Sequence, residues 1–172
     1  GSVMLSGETA GGKYPVEAIT AMVGIVTETE RAIDYWKQFQ KQRILPASNI
    51  NDAITHTCCL TAKDLEAKAI LTATNSGRSA RMICRFRPAC PIAALTMREK
   101  VRRQLNLSWG VIPFLTGEVN STDRIFSLSA EVALKEKLVE NGDTVVITAG
   151  VPLGKSGSTN LIKAQVIDEE SM

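Results

Sequence analysis

The sequence predicts an α/β domain: a three-layer α/β/α arrangement around a mostly parallel, five-stranded mixed sheet. From residue 68 onward, short apolar runs alternate with helix-period segments. That alternation builds an open parallel sheet with helices on both faces. The last two strand-like runs, 143–148 and 160–167, are separated only by a Gly- and Ser-rich loop at 150–158. With no crossover helix between them they are expected to pair antiparallel, which makes the sheet mixed. A chain of 172 residues that is 44% hydrophobic and 22% charged supplies one globular domain with a proper core.

The elements follow in order. Gly1-Ser2 reads as a tag remnant. Val3-Met4-Leu5 reads as the tail of a buried strand, and residues 6–12 as a strand-to-loop turn. So short a strand cannot bury itself, so its partners are expected outside this sequence. Residues 4–12 are then expected to be disordered or non-natively packed, with order beginning near Tyr14. Pro15 suits the first turn of a helix and Glu17 its positive end. Ala18, Ile19, Met22, Ile25, Val26, Ile33 and Trp36 recur at helical spacing over about five turns. Residues 44–50 form a connection containing Pro46. Asn51 then caps a second helix with Ile54, Thr57, Cys58, Thr61 and Leu65 on one face. A strand at 69–73 precedes a helix at 78–87, stopped by Pro88. A strand at 91–96, a helix at about 98–107 and a strand at 110–115 come next. A helix at about 122–139 is capped by Asn120 or Ser121 and ends near Asn141-Gly142.

Charge and cysteine content exclude several function classes. The formal net charge is +2, with bases and acids interleaved, which gives no footprint for nucleic acid. The basic run at 98–103 reads as a solvated helix face. No apolar stretch approaches the length of a membrane span. Cys58, Cys59, Cys84 and Cys90 form no C-x-x-C pair, and the single His56 is at no zinc spacing, so no metal site is expected. The adjacent Cys58 and Cys59 point in different directions on a helix. All four read as free thiols, mostly buried, in a reducing cytosol. His56 reads as a packing or inter-subunit residue and Trp109 as core.

The main chemical signal is Thr74-Asn75-Ser76-Gly77-Arg78-Ser79, which joins an apolar strand to a helix. Ligands of open α/β sheets bind beyond the carboxyl ends of the strands, where a helix start offers unpaired N–H groups. Thr74, Ser76 and Ser79 add hydroxyls, Gly77 permits close backbone approach, and Arg78 supplies a cation. Each bond to a charged partner contributes roughly 1.5–3 kcal/mol net. Three or four reach micromolar binding, about −8 kcal/mol, after association losses. The residues alone leave two readings open, a phosphate cradle or an ordinary helix cap in a polar turn. Neither G-x-G-x-x-G nor G-x-x-x-x-G-K-[ST] is present.

The run 74–80 also resembles the loop with which pyruvate kinases hold the 6-phosphate of an allosteric sugar phosphate. Arg85-Phe86-Arg87-Pro88 with Pro91-Ile92, the run 142–150, and Gly157-Ser158-Thr159-Asn160 resemble the same family in the same order. Residues 3–18 resemble the junction between its catalytic barrel and its C-terminal regulatory domain. The resemblance divides the chain into 1–13, a tag remnant plus barrel end, and 14–172, the regulatory domain of a bacterial-type enzyme. It implies a cytoplasmic, tetrameric glycolytic parent that transfers a phosphoryl group from phosphoenolpyruvate to ADP, giving pyruvate and ATP. It also implies magnesium and potassium sites on the barrel, none of them in this chain, so that the fragment alone is inactive. Ser6 and Glu8 then border the parent's active site, and Gly11 stands where the family often carries a nucleotide-side lysine.

By the same resemblance, Lys155, Ser156, Gly157, Ser158 and Thr159 belong to an effector loop that closes over the ligand. Read from its residues alone, that loop is equally a flexible hairpin connection. Relatives that take fructose 1,6-bisphosphate grip its second phosphate with a Trp and an Arg near the start of the preceding helix. Residues 117–126 hold no Trp, and their only Arg, Arg124, is out of register. The expected effector is therefore a sugar monophosphate or an AMP-like nucleotide. Two other functions stay open: an assembly module with a vestigial phosphate site, and a stand-alone phosphate-binding transferase. No acid–base pair or nucleophile accompanies the loop to support the latter.

Overall fold

The computed structural model describes residues 2–41, 49–153 and 158–168. Among them the helices are α1 (Gly7–Ala10), α2 (Pro15–Ala32), α3 (Tyr35–Lys41), α4 (Ile50–Asp64), α5 (Arg78–Cys84), α6 (Glu99–Leu105) and α7 (Thr122–Lys135). The strands are β1 (Ala69–Ala73), β2 (Ile92–Thr96), β3 (Val111–Leu115), β4 (Thr144–Gly150) and β5 (Thr159–Val166). They form one sheet in the order β3-β2-β1-β4-β5. β1 to β4 run parallel, and β5 pairs antiparallel with β4. The expected mixed, five-stranded sheet is therefore present. The connection around Pro46 and most of the loop before β5 lie outside the described residues.

Alternation along the strands sorts the core into two layers. Ile70, Ile92, Ala94 and Val146 face one side, against α3 to α6, with Cys58, Cys59, Ile83 and Leu105. Ala69, Leu71, Ala93, Val145 and Ile147 face the other, against α7, with Ala130 and Ala133. Full burial of such side chains contributes about 1.5–3 kcal/mol each.

Several elements differ from the sequence reading, each for a local reason. Val3 to Leu5 pair with no strand, and Val3 and Met4 are 65% and 83% exposed. Residues 7–10 wind into the one-turn helix α1, which packs on α2. The long first helix is two. Ile33 is extended, with ψ 123°, and the Asp34 carboxylate accepts from Lys37 N–H at 2.9 Å to start α3. The cap of α4 is Asn49, whose side chain accepts from Asp52 N–H at 3.0 Å; Asn51 lies inside the first turn. Ser121 caps α7, accepting from Arg124 N–H at 3.1 Å. α7 ends at Lys135, well short of Gly142. Lys137 takes the left-handed conformation, φ 57°, and Leu138 N–H reaches back to Ala133 O at 2.9 Å. That is the reach-back geometry of a glycine-ended helix, carried here by a lysine. Glu66 and Arg87, both at φ 49°, end α4 and the turn after α5 in the same conformation.

The four thiols are free. Cys58 and Cys59 both reach the core, despite their different directions, because α4 is covered by the sheet and by α3. Burial pushes the Cys58 thiol up to about 12 and Cys90 up to about 11, so neither is a nucleophile near neutrality.

His56 packs as expected. Its ring stacks on Phe39 at 4.9 Å and meets Phe86 edge-on at 5.5 Å. Burial lowers its pKa from 6.5, and Arg85 adds to the shift. Below 6.5 the unfolded chain therefore binds a proton that the folded chain resists. Stability should fall as pH drops from 6.5 through the folded pKa, with the full stability present above that window. Urea unfolding at a series of pH values should show this slope, and His56→Gln should flatten it.

Candidate functional site at the switch point of the sheet

The sheet order reverses at β1. The chain runs outward through β2 and β3, then returns to place β4 on the other side of β1. Such a switch point opens a crevice beyond the strand carboxyl ends. A cavity of about 110 Å³ occupies that position, bounded by Thr74 after β1, Leu95 and Thr96 of β2, and Gly150 of β4. α7 closes it from the side with Ile125, Leu128 and Ser129.

The loop after β1 is built by short-range bonds. Thr74 Oγ1 accepts from Gly77 N–H at 3.0 Å, folding the loop over its own side chain. Thr74 N–H donates to Leu95 O at 2.9 Å, tying the loop to β2. Gly77 caps α5 at φ 75°, a left-handed conformation that other residues adopt only with strain. The Arg81 guanidinium returns to Ser76 O at 2.8 Å. α5 has only seven residues, so its dipole adds little; side-chain hydroxyls line the cavity. The wall opposite depends on Gly150, which sits at a register shift between β4 and β5. A Cβ there would lie 2.7 Å from Ser158 Oγ and 2.8 Å from Ser158 O. Asn160 braces the loop's start, accepting from Val151 N–H at 2.9 Å and donating to Val151 O at 2.6 Å.

Thr74, Asn75, Ser76 and Ser79 all line the cavity, as do Ser158 and Thr159 from the far side. The two loops meet there, since the hydroxyls of Ser79 and Thr159 lie 2.5 Å apart. Gly77 shapes the loop without lining it. Arg78 is exposed and does not line the cavity; as the first residue of α5 it faces solvent. Lys155, Ser156 and Gly157 lie outside the described residues. Ser6 and Glu8, on and beside α1, do not line it either. Sequence reasoning missed the wall formed by Met97, Thr116, Val119 and α7. Ser129 alone carried a readable signal, as a polar residue in the buried stripe Ile125–Ser129–Ala133. A larger recess, about 510 Å³ and mostly apolar, is lined by Trp36, Phe39 and Arg87 among others. It lies near Lys68 and Pro91, at the opposite ends of β1 and β2, away from every candidate site residue. Among the described residues no group of three or more His, Cys, Asp or Glu side chains is placed to hold a metal ion.

An open α/β sheet with a crevice at its switch point belongs to the doubly wound class, in which ligand sites lie beyond the carboxyl ends of the strands. Residues 52–165 match the pyruvate kinase alpha/beta domain. The chain is 44% identical over 167 residues to a pyruvate kinase of Clostridium acetobutylicum, covering 97% of this chain and 35% of that protein. It is also 44% identical, over 168 residues, to the pyruvate kinases of Sporosarcina psychrophila and Geobacillus stearothermophilus, covering 98% of this chain and 29% of each. The chain belongs to the pyruvate kinase family and is its C-terminal α/β domain. It spans about a third of the length of these relatives.

Proposed function

We propose that this chain is the regulatory domain of a pyruvate kinase and that the switch-point cavity binds a phosphorylated effector. The observation that carries the reading is the convergence on one cavity of Thr74, Asn75, Ser76 and Ser79 with Ser158 and Thr159. The proposed parent transfers a phosphoryl group from phosphoenolpyruvate to ADP in the cytoplasm, as a tetramer. The family resemblance implies that its magnesium and potassium sit on its barrel. Phosphoryl transfer runs on positioned cations, so the isolated chain should show no turnover. Among the described residues no helix is long and apolar enough to cross a membrane.

An effector alters activity only by distinguishing two arrangements of the whole assembly. The Ser79–Thr159 contact suits that task, because a ligand entering between the loops must exchange it for bonds of its own. α2 buries no residue and leaves Val16, Ile19, Val23 and Ile25 more than half exposed. In our reading the barrel of the longer parent covers that face, with the domain boundary near residue 13. Calorimetric titration with AMP, ribose 5-phosphate and fructose 1,6-bisphosphate tests the effector reading. A monophosphate should bind with micromolar affinity, and a clear preference for the bisphosphate would refute our choice. Absence of binding by all three would favour the assembly module.

A further inference from the structure

Ser129 lines the switch-point cavity, is 1% exposed, and its hydroxyl makes no hydrogen bond within the protein. A buried hydroxyl without a partner is costly, and native proteins hold few of them. A helical serine can bond back to the carbonyl four residues earlier, yet this one does not. Its neighbours Ile125, Leu128, Val119 and Met97 give this side of the cavity an apolar surface. No Lys or Arg stands among the described residues that line it. The hydroxyls contributed by the loops after β1 and before β5 lie elsewhere on the cavity wall, at Thr74, Ser76, Ser79 and Thr159. The site is thus polarised, with the loop hydroxyls on one side and a largely apolar wall on the other, where Ser129 brings a buried, unpartnered hydroxyl beside Thr96 and Thr116.

We infer that Ser129 reads the non-phosphate part of the ligand, accepting from or donating to a hydroxyl or ring heteroatom of an uncharged sugar or nucleoside moiety. The inference rests on the phosphate-ligand reading above and extends it. Ser129 is a specificity residue that discriminates a ligand with a neutral polar ring from bare phosphate and from a second phosphate group. The wall is largely apolar, so the unpartnered Ser129 hydroxyl fixes the ring's orientation, as sparse polar groups do in apolar pockets. A site built to bond one group rejects analogues that leave its buried atom unpaired.

The test compares the wild-type chain with Ser129→Ala and Ser129→Cys. Inorganic phosphate, ribose 5-phosphate and AMP are titrated calorimetrically, and unliganded thermal unfolding is recorded. Ser129→Ala should raise the unliganded Tm by about 2–4 °C, because it deletes an unpaired buried group. It should also weaken the better-bound of ribose 5-phosphate and AMP by about tenfold and leave phosphate affinity unchanged. Ser129→Cys, close in size but a weak donor, should weaken the same ligand to a similar extent. Helix propensity alone also favours Ala and raises Tm, but it does not weaken one ligand selectively. Unchanged affinity for the organic phosphate, or an equal loss for phosphate itself, overturns the inference while leaving the effector site standing. If the wild-type chain binds none of the three probes, the effector reading falls and this inference with it.

Discussion

Phe86→Ala should destabilise the domain by about 3–5 kcal/mol. That corresponds to a fall in Tm of roughly 6–20 °C for a chain of this length. Phe86 is buried, and it is the hub at which three elements meet. Its ring lies 5.9 Å from Phe39 of α3 and 5.5 Å from His56 of α4, and the Arg85 guanidinium stands 4.7 Å from it. Phe39 in turn stacks on Trp36 at 5.2 Å. Truncation removes the aromatic surface that holds α3 and α4 to the end of α5, and rigid neighbours refill such a gap only in part. Phe86→Leu keeps most of the volume and should cost less than about 1.5 kcal/mol. Urea midpoints with unchanged slopes would measure both values. Equal, small losses for the two variants would mean that the cluster does not hold these helices together.

Gly77→Val should abolish effector binding and cost about 1–3 kcal/mol of stability. Gly77 stands at φ 75°, which is least accessible to a β-branched residue. A Cβ there would lie 2.7 Å from Arg81 Nη1 and 3.1 Å from Leu105 Cδ2. The Arg81 side chain would have to swing away and give up its bond to Ser76 O, which holds the loop in its cradle shape. Gly77→Asn separates the two effects. Asn tolerates the left-handed conformation but still brings a Cβ, so it should recover much of the stability and little of the binding. Calorimetric titration with ribose 5-phosphate alongside urea unfolding would distinguish them.

The strands were legible because parallel strands buried on both faces are continuous apolar runs. Ile92–Thr96 is buried at every position. The antiparallel last strand followed from the missing crossover. Helix ends were less legible. Glu66, Arg87 and Lys137 adopt the conformation usually marked by glycine, and the breakers the sequence does carry, Pro88 and Asn141-Gly142, lie beyond the ends of α5 and α7. The α2–α3 break rests on one extended residue, Ile33, inside an unbroken apolar periodicity. For the site, the loop 74–79 was legible as a local motif, whereas its opposite wall was not. That wall comes from strand ends and one face of α7, which the chain brings together only through the sheet order. Arg78, the cation of that motif, is exposed and outside the cavity lining, a placement that residue type alone does not reveal.

A phosphorylated ligand in the switch-point cavity would perturb the amides around it. Backbone amide shifts of the full chain, followed during titration with ribose 5-phosphate, test binding there most directly. Saturable shifts should concentrate at residues 74–80, with Ser129, Gly150 and Thr159 following the same curve. Shifts centred instead on Trp36, Phe39 and Arg87, or no saturable shift at any residue, would contradict it.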